Sequence, residues 1–206
     1  MNPNSHFCYT LPVTALLLCI NVQAQEQISW VPGTILSYVE LDGWKKEVNK
    51  WDLVIVSAEG SGFNVIEKTA DKEIILKVQT SGVFTRPMPT GNETFDYQPV
   101  KLPLAAGSTW EYVYHYIGKN TGAIGRTSSK CEAISIEEVE VPAGKFNAWK
   151  ITCRGGWVST AGSSGSLNKT IWFAPTVSAI VKSNDRTSYF GGSEQFFTSL
   201  IKVSKP

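Results

Sequence analysis

Residues 131–153 read CEAISIEEVEVPAGKFNAWKITC, and this stretch decides the fold class. Two strand-like runs are joined by a turn that contains Pro142 and Gly144, which is the pattern of an antiparallel β-hairpin. The midpoint between Cys131 and Cys153 falls on Pro142, so the two thiols lie nearly opposite one another on the two strands. The sequence contains no CxxC motif. We therefore predict a structural cross-strand disulfide between Cys131 and Cys153.

The rest of the chain beyond residue 24 is a succession of short strand-like runs separated by turn residues. Pro87, Pro89 and Gly91 mark a longer loop, and Gly155–Asn168 (GGWVSTAGSSGSLN) is typical of a flexible loop or a wide hairpin end. Helical periodicity with caps is not found in any long run. We predict one all-β domain, an antiparallel β-barrel, half-barrel or sandwich. The predicted strands are Thr34–Leu41, Asp52–Ser57, Phe63–Lys68, Glu73–Thr80, Thr94–Val100, Thr109–Gly118, Lys130–Val141, Lys145–Arg154, Thr170–Phe173, Ala179–Lys182 and Gln195–Val203.

The first 24 residues have the features of a signal peptide. They contain no Asp, Glu, Lys or Arg, and Leu11–Val22 is an apolar run of 12 residues, too short to span a bilayer. Val22 and Ala24 occupy the −3 and −1 positions of a cut before Gln25. Lipid modification of Cys19 requires a small preceding residue, and Leu18 is not small. We predict a cleaved, unlipidated signal peptide over 1–24 and a single exported domain over 25–206, in the periplasm, at the cell surface or outside the cell. An uncleaved anchor or a lipoprotein is the alternative.

The charge balance argues against a polyanionic partner. Nineteen basic and eighteen acidic residues give a net charge of +1, without the basic excess that nucleic-acid binding requires. We predict no nucleic-acid partner, and no membrane span once the signal peptide is removed.

No catalytic or metal-binding motif stands out in the sequence. His115, the only histidine beyond residue 24, lies mid-strand without a Ser, Cys or Asp in a partner motif, which favours a structural role. Gly162–Gly165 (GSSG) is not a GxSxG elbow, and we interpret it as a solvated loop. We predict no enzyme activity, no cofactor and no metal. One acidic cluster is interpreted as a solvated strand face, because its members spread along an extended strand: Glu132, Glu137, Glu138 and Glu140.

An aromatic row is the most informative feature of the sequence. Strand alternation places four rings on one face of a single strand, about 6.8 Å apart. Core packing, the lining of a barrel cavity and an exposed stacking platform are the three explanations, and buried tyrosine hydroxyls favour a wet cavity or a core edge over a dry core. The row consists of Trp110, Tyr112, Tyr114 and Tyr116.

Three segments together resemble the DUF3108-like group of bacterial periplasmic or surface proteins. Leu102–Tyr112 is similar to the group's LPL..G..W.Y opening, and Val141–Ile151 is similar to its VPAG.F.A.KI hairpin. Thr170–Pro175 and Ile180–Lys182 resemble its WyaP..g.iVk strand pair, so the resemblance spans 102–182. The group has no assigned function.

The resemblance implies an envelope location and a β architecture, and it supplies no catalytic residues to carry over. Thr176 and Ala179 depart from the group's usual acidic residue and glycine, which alters a turn more than a chemistry. By analogy, the architecture resembles the curved half-barrels of bacterial lipoprotein carriers, which hold acyl chains.

These observations favour a non-enzymatic envelope protein that binds an apolar or amphipathic, lipid-like ligand in a β-lined cavity. The alternative is a carbohydrate-binding or adhesive surface module that uses Trp110, Tyr112, Tyr114 and Tyr116 as a platform.

Processing and redox state are open to a direct test. We expect protein purified from its native envelope to start near Gln25 and to contain a Cys131–Cys153 bridge. Intact-mass analysis with and without reductant and alkylation measures both. A retained N-terminus contradicts the cleavage prediction, and two thiols that alkylate without reductant contradict the bridge.

Overall fold

The structure, a computed structural model, describes residues 27–87, 94–117 and 122–206. In these residues the chain forms twelve β-strands and a single turn of 3-10 helix, Pro175–Val177. The predicted all-β antiparallel architecture is confirmed. The strands are β1 (Ile35–Asp42), β2 (Glu47–Glu59), β3 (Gly62–Lys68), β4 (Glu73–Gln79), β5 (Phe84–Pro87), β6 (Thr94–Tyr97), β7 (Thr109–Ile117), β8 (Ile124–Val141), β9 (Gly144–Ser159), β10 (Ser164–Ala174), β11 (Ala179–Tyr189) and β12 (Gly192–Ser204).

All twelve strands belong to one sheet, in the order β6-β5-β4-β3-β2-β1-β12-β11-β10-β9-β8-β7. The first six and the last six strands each form an up-and-down meander. The two meanders are joined where β1 pairs with β12, from Ile35 opposite Ser204 to Asp42 opposite Phe196. The sheet curls until its edge strands β6 and β7 face each other, which gives a nearly closed barrel. Of the predicted alternatives, the chain adopts the barrel.

Side chains close the seam between β6 and β7. Tyr97 on β6 packs edge-on against Tyr112 and Tyr114 on β7, with ring centroids 5.4 Å and 5.3 Å apart. The Trp110 indole N–H on β7 donates to the Gln98 carbonyl oxygen just after β6, at 3.1 Å. Within the described ranges no backbone ladder joins the two strands. Aromatic packing therefore replaces the backbone hydrogen bonds that would complete the barrel.

The segment before β1 covers one end of the barrel. The Ile28 backbone N–H donates to the Thr80 carbonyl oxygen at 2.7 Å, and the Trp30 indole N–H donates to the Val177 carbonyl oxygen at 3.3 Å. The Trp30 ring also packs against Phe63 at the start of β3, with centroids 5.4 Å apart. Both Ile28 and Trp30 are buried, so this segment belongs to the core.

The expectation of a flexible loop over Gly155–Asn168 is wrong, whereas the expectation of a hairpin end is confirmed. Strands β9 and β10 continue through most of this segment and pair in regular register. Two glycines make this close pairing possible. A Cβ at Gly155 would collide with the Ser128 carbonyl, and a Cβ at Gly165 would collide with the Ser188 carbonyl. Here glycine marks close backbone approach rather than flexibility.

The Cys131–Cys153 disulfide is confirmed. The two residues are direct cross-strand partners in the β8–β9 hairpin, with Cα atoms 4.0 Å apart. Both side chains are buried, 0% and 1% exposed. The bridge lies inside the barrel wall, which supports the structural role.

The predicted signal peptide and the loop residues Pro89 and Gly91 lie outside the described residues. In the part of the chain that the structure describes, no helix has the length and apolar character needed to cross a membrane.

Reduction of the disulfide should lower thermal stability. Closing a loop of this length stabilises a fold by roughly 3 kcal/mol in the chain-entropy model, which corresponds to about 6–12 °C in Tm for a domain of this size. Differential scanning calorimetry of protein with the intact bridge and of a Cys131→Ala/Cys153→Ala variant measures the difference. An unchanged Tm would show that strand pairing alone fixes the hairpin.

Candidate functional site

The barrel interior contains a cavity of about 500 Å³ that is partly open to solvent. Strands from both meanders and the segment before β1 contribute to its wall. Its apolar part is formed by Ile28, Trp30, Leu53, Leu76, Val100 and Phe173. Its aromatic part, in which four rings carry hydroxyls, is formed by Tyr38, Trp51, Tyr97, Tyr114 and Tyr116. Its charged part is formed by Glu40, Glu67, Arg86, Lys169 and Asp185.

The predicted aromatic row points into the barrel along its full length. Trp110 and Tyr112 are only 5% and 7% exposed and pack in the core, whereas Tyr114 and Tyr116 line the cavity. Ring centroids are 6.1 Å apart from Tyr112 to Tyr114 and 6.4 Å apart from Tyr114 to Tyr116. Two rings of the row therefore belong to the core and two to the cavity wall, and the row does not form an exposed stacking platform.

Burial keeps the interior phenols neutral. It raises the pKa of Tyr38, Tyr112 and Tyr114 above the ordinary value, and the neighbouring Tyr97 raises the last two further. The Tyr112 hydroxyl makes no hydrogen bond of normal geometry within the described residues, although Ser129 lies opposite it across the strand pair. The core thus contains a buried hydroxyl whose hydrogen bonding is incomplete.

A second aromatic wall lies on the first meander. Tyr38 on β1 and Trp51 on β2 are direct cross-strand partners, and their rings stack with centroids 5.3 Å apart and an interplanar angle of 13°. Leu53, two residues further along β2, continues this wall toward the apolar part of the cavity.

Lys169 and Asp185 form an ion pair inside the barrel. They are direct partners on β10 and β11, with Lys169 Nζ 2.7 Å from Asp185 Oδ2 and side-chain exposures of 15% and 25%. The same ammonium lies 5.6 Å from the centroid of the Tyr97 ring. Desolvation alone would lower the pKa of Lys169, but Tyr97 and Asp185 together raise it well above its ordinary value. Lys169 therefore remains a cation in the cavity.

Glu40 brings an additional negative charge to the wall. Burial raises the pKa of the Glu40 carboxyl, Asp185 raises it further, and Lys169 partly offsets both effects. The remaining two charged residues, Arg86 and Glu67, are in direct contact as an ion pair.

The other residues singled out by sequence lie away from the cavity. His115 is exposed on the outer face of β7, and Gly162–Gly165 spans the turn into β10. Within the acidic cluster Glu132, Glu138 and Glu140 are exposed, as interpreted, whereas Glu137 is half-buried and accepts a 2.6 Å hydrogen bond from the Trp172 indole N–H. Among the described residues no group of three or more His, Cys, Asp or Glu side chains is placed to hold a metal ion.

Sequence reasoning missed the charged residues of the cavity, although strand alternation carried the signal. Glu40 follows Leu36 and Tyr38 at intervals of two, and Lys169 precedes Ile171 and Phe173 in the same way. A charge in phase with buried residues of one strand points to the interior.

Comparison with known proteins identifies relatives in structure alone. No protein-family model and no curated protein matches the sequence. A candidate exported protein with a YmcC-like fold from Bacteroides fragilis superposes with a TM-score of 0.57 at 16% identity, covering 88% of this chain and 100% of its own. A candidate lipoprotein from Parabacteroides distasonis gives 0.58 at 15% identity, with coverages of 84% and 96%. The chain is therefore similar in fold to these two proteins, and the resemblance to the DUF3108-like group stays a prediction.

Removing one partner of the interior ion pair should destabilise the barrel. Lys169→Met leaves Asp185 buried without its cation, so we expect a loss of about 1–3 kcal/mol in the free energy of unfolding. Adding Asp185→Asn should recover part of that loss. Urea unfolding of the two single variants and the double variant measures the coupling.

The exposed Lys68–Glu73 pair, with its atoms 2.8 Å apart, provides the matched control. Lys68→Met should leave the unfolding midpoint nearly unchanged. Equal effects of Lys169→Met and Lys68→Met would contradict the assignment of a stabilising interior pair.

Proposed function

We propose that this chain is a non-enzymatic, exported envelope protein that binds an apolar or amphipathic, lipid-like small molecule in the barrel cavity. The observation that carries the proposal is the cavity itself, at about 500 Å³. That volume lies within the roughly 300–1,000 Å³ typical of small-molecule sites. A hydrocarbon chain would replace water along the apolar part, and each buried methylene would contribute about 0.8 kcal/mol.

The chemistry of the wall supports an amphipathic rather than a purely apolar ligand. Apolar side chains such as Leu53, Leu76 and Phe173 share the cavity with tyrosine hydroxyls and charged groups. Ligand pockets combine a mainly apolar lining with a few polar groups that orient the ligand. Tyr114 and Tyr116 line the cavity, which supports a role for these two rings of the aromatic row in contact with the ligand.

Export is supported by three observations. Residues 1–24 have signal-peptide features, and the buried Cys131–Cys153 bridge is suited to an oxidising compartment. The two similar structures are described as an exported protein and a lipoprotein. The carbohydrate-platform alternative depended on an exposed aromatic row, and Trp110 and Tyr112 are buried.

Ligand binding is testable with an uncharged probe. We expect 1-lauroylglycerol to change the tryptophan fluorescence saturably, because Trp30 and Trp51 line the cavity. Soluble maltohexaose should give no saturable change. Tyr114→Ala should weaken lauroylglycerol binding about tenfold, since it removes an aromatic contact worth roughly 1.4 kcal/mol.

Tyr189→Ala is the matched control, because Tyr189 is 40% exposed at the end of β11. It should bind lauroylglycerol as tightly as the wild type. If only maltohexaose changes the fluorescence saturably, the surface-module alternative is favoured. If neither probe changes the fluorescence, the proposed ligand binding is contradicted.

A further inference from the structure

The charges that line the cavity do not balance. Three acidic and two basic side chains line it, and four of these five side chains form two ion pairs. Lys169 pairs with Asp185, and Arg86 pairs with Glu67. Glu40 remains, and among the described residues no basic side chain lies within ion-pair distance of its carboxylate. The cavity therefore has an excess of one negative charge.

Glu40 lies beside an aromatic wall. It follows Tyr38 at an interval of two on β1, and it is the diagonal neighbour of Trp51 across the β1–β2 pair, within reach of a long side chain. Tyr38 and Trp51 stack on each other, and Trp51 itself lines the cavity. On the other side, the direct partner of Glu40 is Thr198 on β12, which is uncharged and also lines the cavity.

A carboxylate next to aromatic faces is the arrangement that recognises ammonium groups. The ring quadrupole attracts a cation, and tryptophan is the strongest such ring in proteins. The interior already contains one contact of this type, between the Lys169 ammonium and the Tyr97 ring at 5.6 Å. That cation is paired with Asp185 at 2.7 Å, and it acts on the Glu40 carboxyl only beyond ion-pair distance.

We infer that the cavity selects a cationic amphiphile, whose ammonium head group lies against Glu40 and Trp51 and whose hydrocarbon chain extends past Leu53 and Leu76 toward Trp30. This inference rests on the proposed function and specifies its ligand class. Leu53, Leu76 and Trp30 all belong to the apolar lining of the cavity.

An anionic head group fits the same cavity poorly. The two basic groups already have carboxylate partners, so a ligand carboxylate would have to displace Asp185 or Glu67. It would also meet Glu40 in a partly desolvated site, where like charges repel more strongly than in water. Burial raises the pKa of the Glu40 carboxyl, Asp185 raises it further, and Lys169 offsets only part of the rise.

Three probes with the same twelve-carbon chain length test the inference: dodecyltrimethylammonium, dodecanoate and 1-lauroylglycerol, each below its critical micelle concentration. Isothermal titration calorimetry at neutral pH and low salt measures the three affinities. We expect the ammonium probe to bind at least about tenfold more tightly than dodecanoate. Glu40→Gln should bring the two within about threefold of each other.

Glu132→Gln is the matched control, because Glu132 is exposed on the outer face of β8 and the same unit of charge is removed. It should keep the wild-type preference for the ammonium probe. A circular dichroism melt checks that both variants are folded, and Trp51→Phe provides a second variant with a weaker ring, in which the ammonium probe should lose more affinity than dodecanoate.

The outcomes separate the two proposals. If lauroylglycerol binds but the ammonium probe is not preferred, or if Glu40→Gln keeps the preference, the inference about charge is overturned and the proposed function stands. If none of the three probes binds to the wild type, both are overturned.

Discussion

The pairing of β1 with β12 is the interaction on which the rest of the structure depends. It joins the first and last strands of the chain, and through them the two six-stranded meanders, into one sheet. Without this ladder each meander would be an open, curved sheet with one apolar face exposed to water. The ladder also sets the contents of the cavity, because it places Tyr38 and Glu40 from the first meander against Leu200 and Thr198 from the second. The interior is therefore shared between distant parts of the chain.

The interior combines two requirements that oppose each other. A dry core would be more stable without charged groups, because the attraction between two buried charges seldom fully offsets the cost of removing them from water. Here a buried apolar cluster that includes Trp30 and Phe63 fills much of the interior, whereas the cavity wall also contains the Lys169–Asp185 ion pair. The apolar cluster stabilises the barrel, and the cavity retains space beside charged groups.

Much of the fold follows from local sequence patterns, because a hairpin is defined by residues close together in the chain. The turn at Pro142 and Gly144 determined the β8–β9 register and with it the pairing of Cys131 with Cys153. The choice between barrel and sandwich could not be made in this way, since it depends on the contact between β1 and β12. Strand lengths over Gly155–Asn168 were underestimated, because glycine and serine there serve close packing of backbones and not a loop.

The site was predictable only in part. Alternation correctly grouped the four rings from Trp110 to Tyr116 on one face, but it does not state which face of a strand is the inside. That question is answered by tertiary packing, in which Trp110 and Tyr112 join the core and Tyr114 lines the cavity. Glu40 escaped notice because a charged residue on a strand is ordinarily solvated, and only the burial of the residues in phase with it shows otherwise.

The seam between β6 and β7 has a mechanical consequence. In a fully hydrogen-bonded barrel the strand number and the shear fix the circumference. In this chain the edges meet through the rings of Tyr97, Tyr112 and Tyr114 and through the Trp110–Gln98 hydrogen bond, and ring packing is less directional than a backbone ladder. The circumference of the barrel is therefore fixed least tightly along this one line, where side chains and not paired backbones set the distance between two strands.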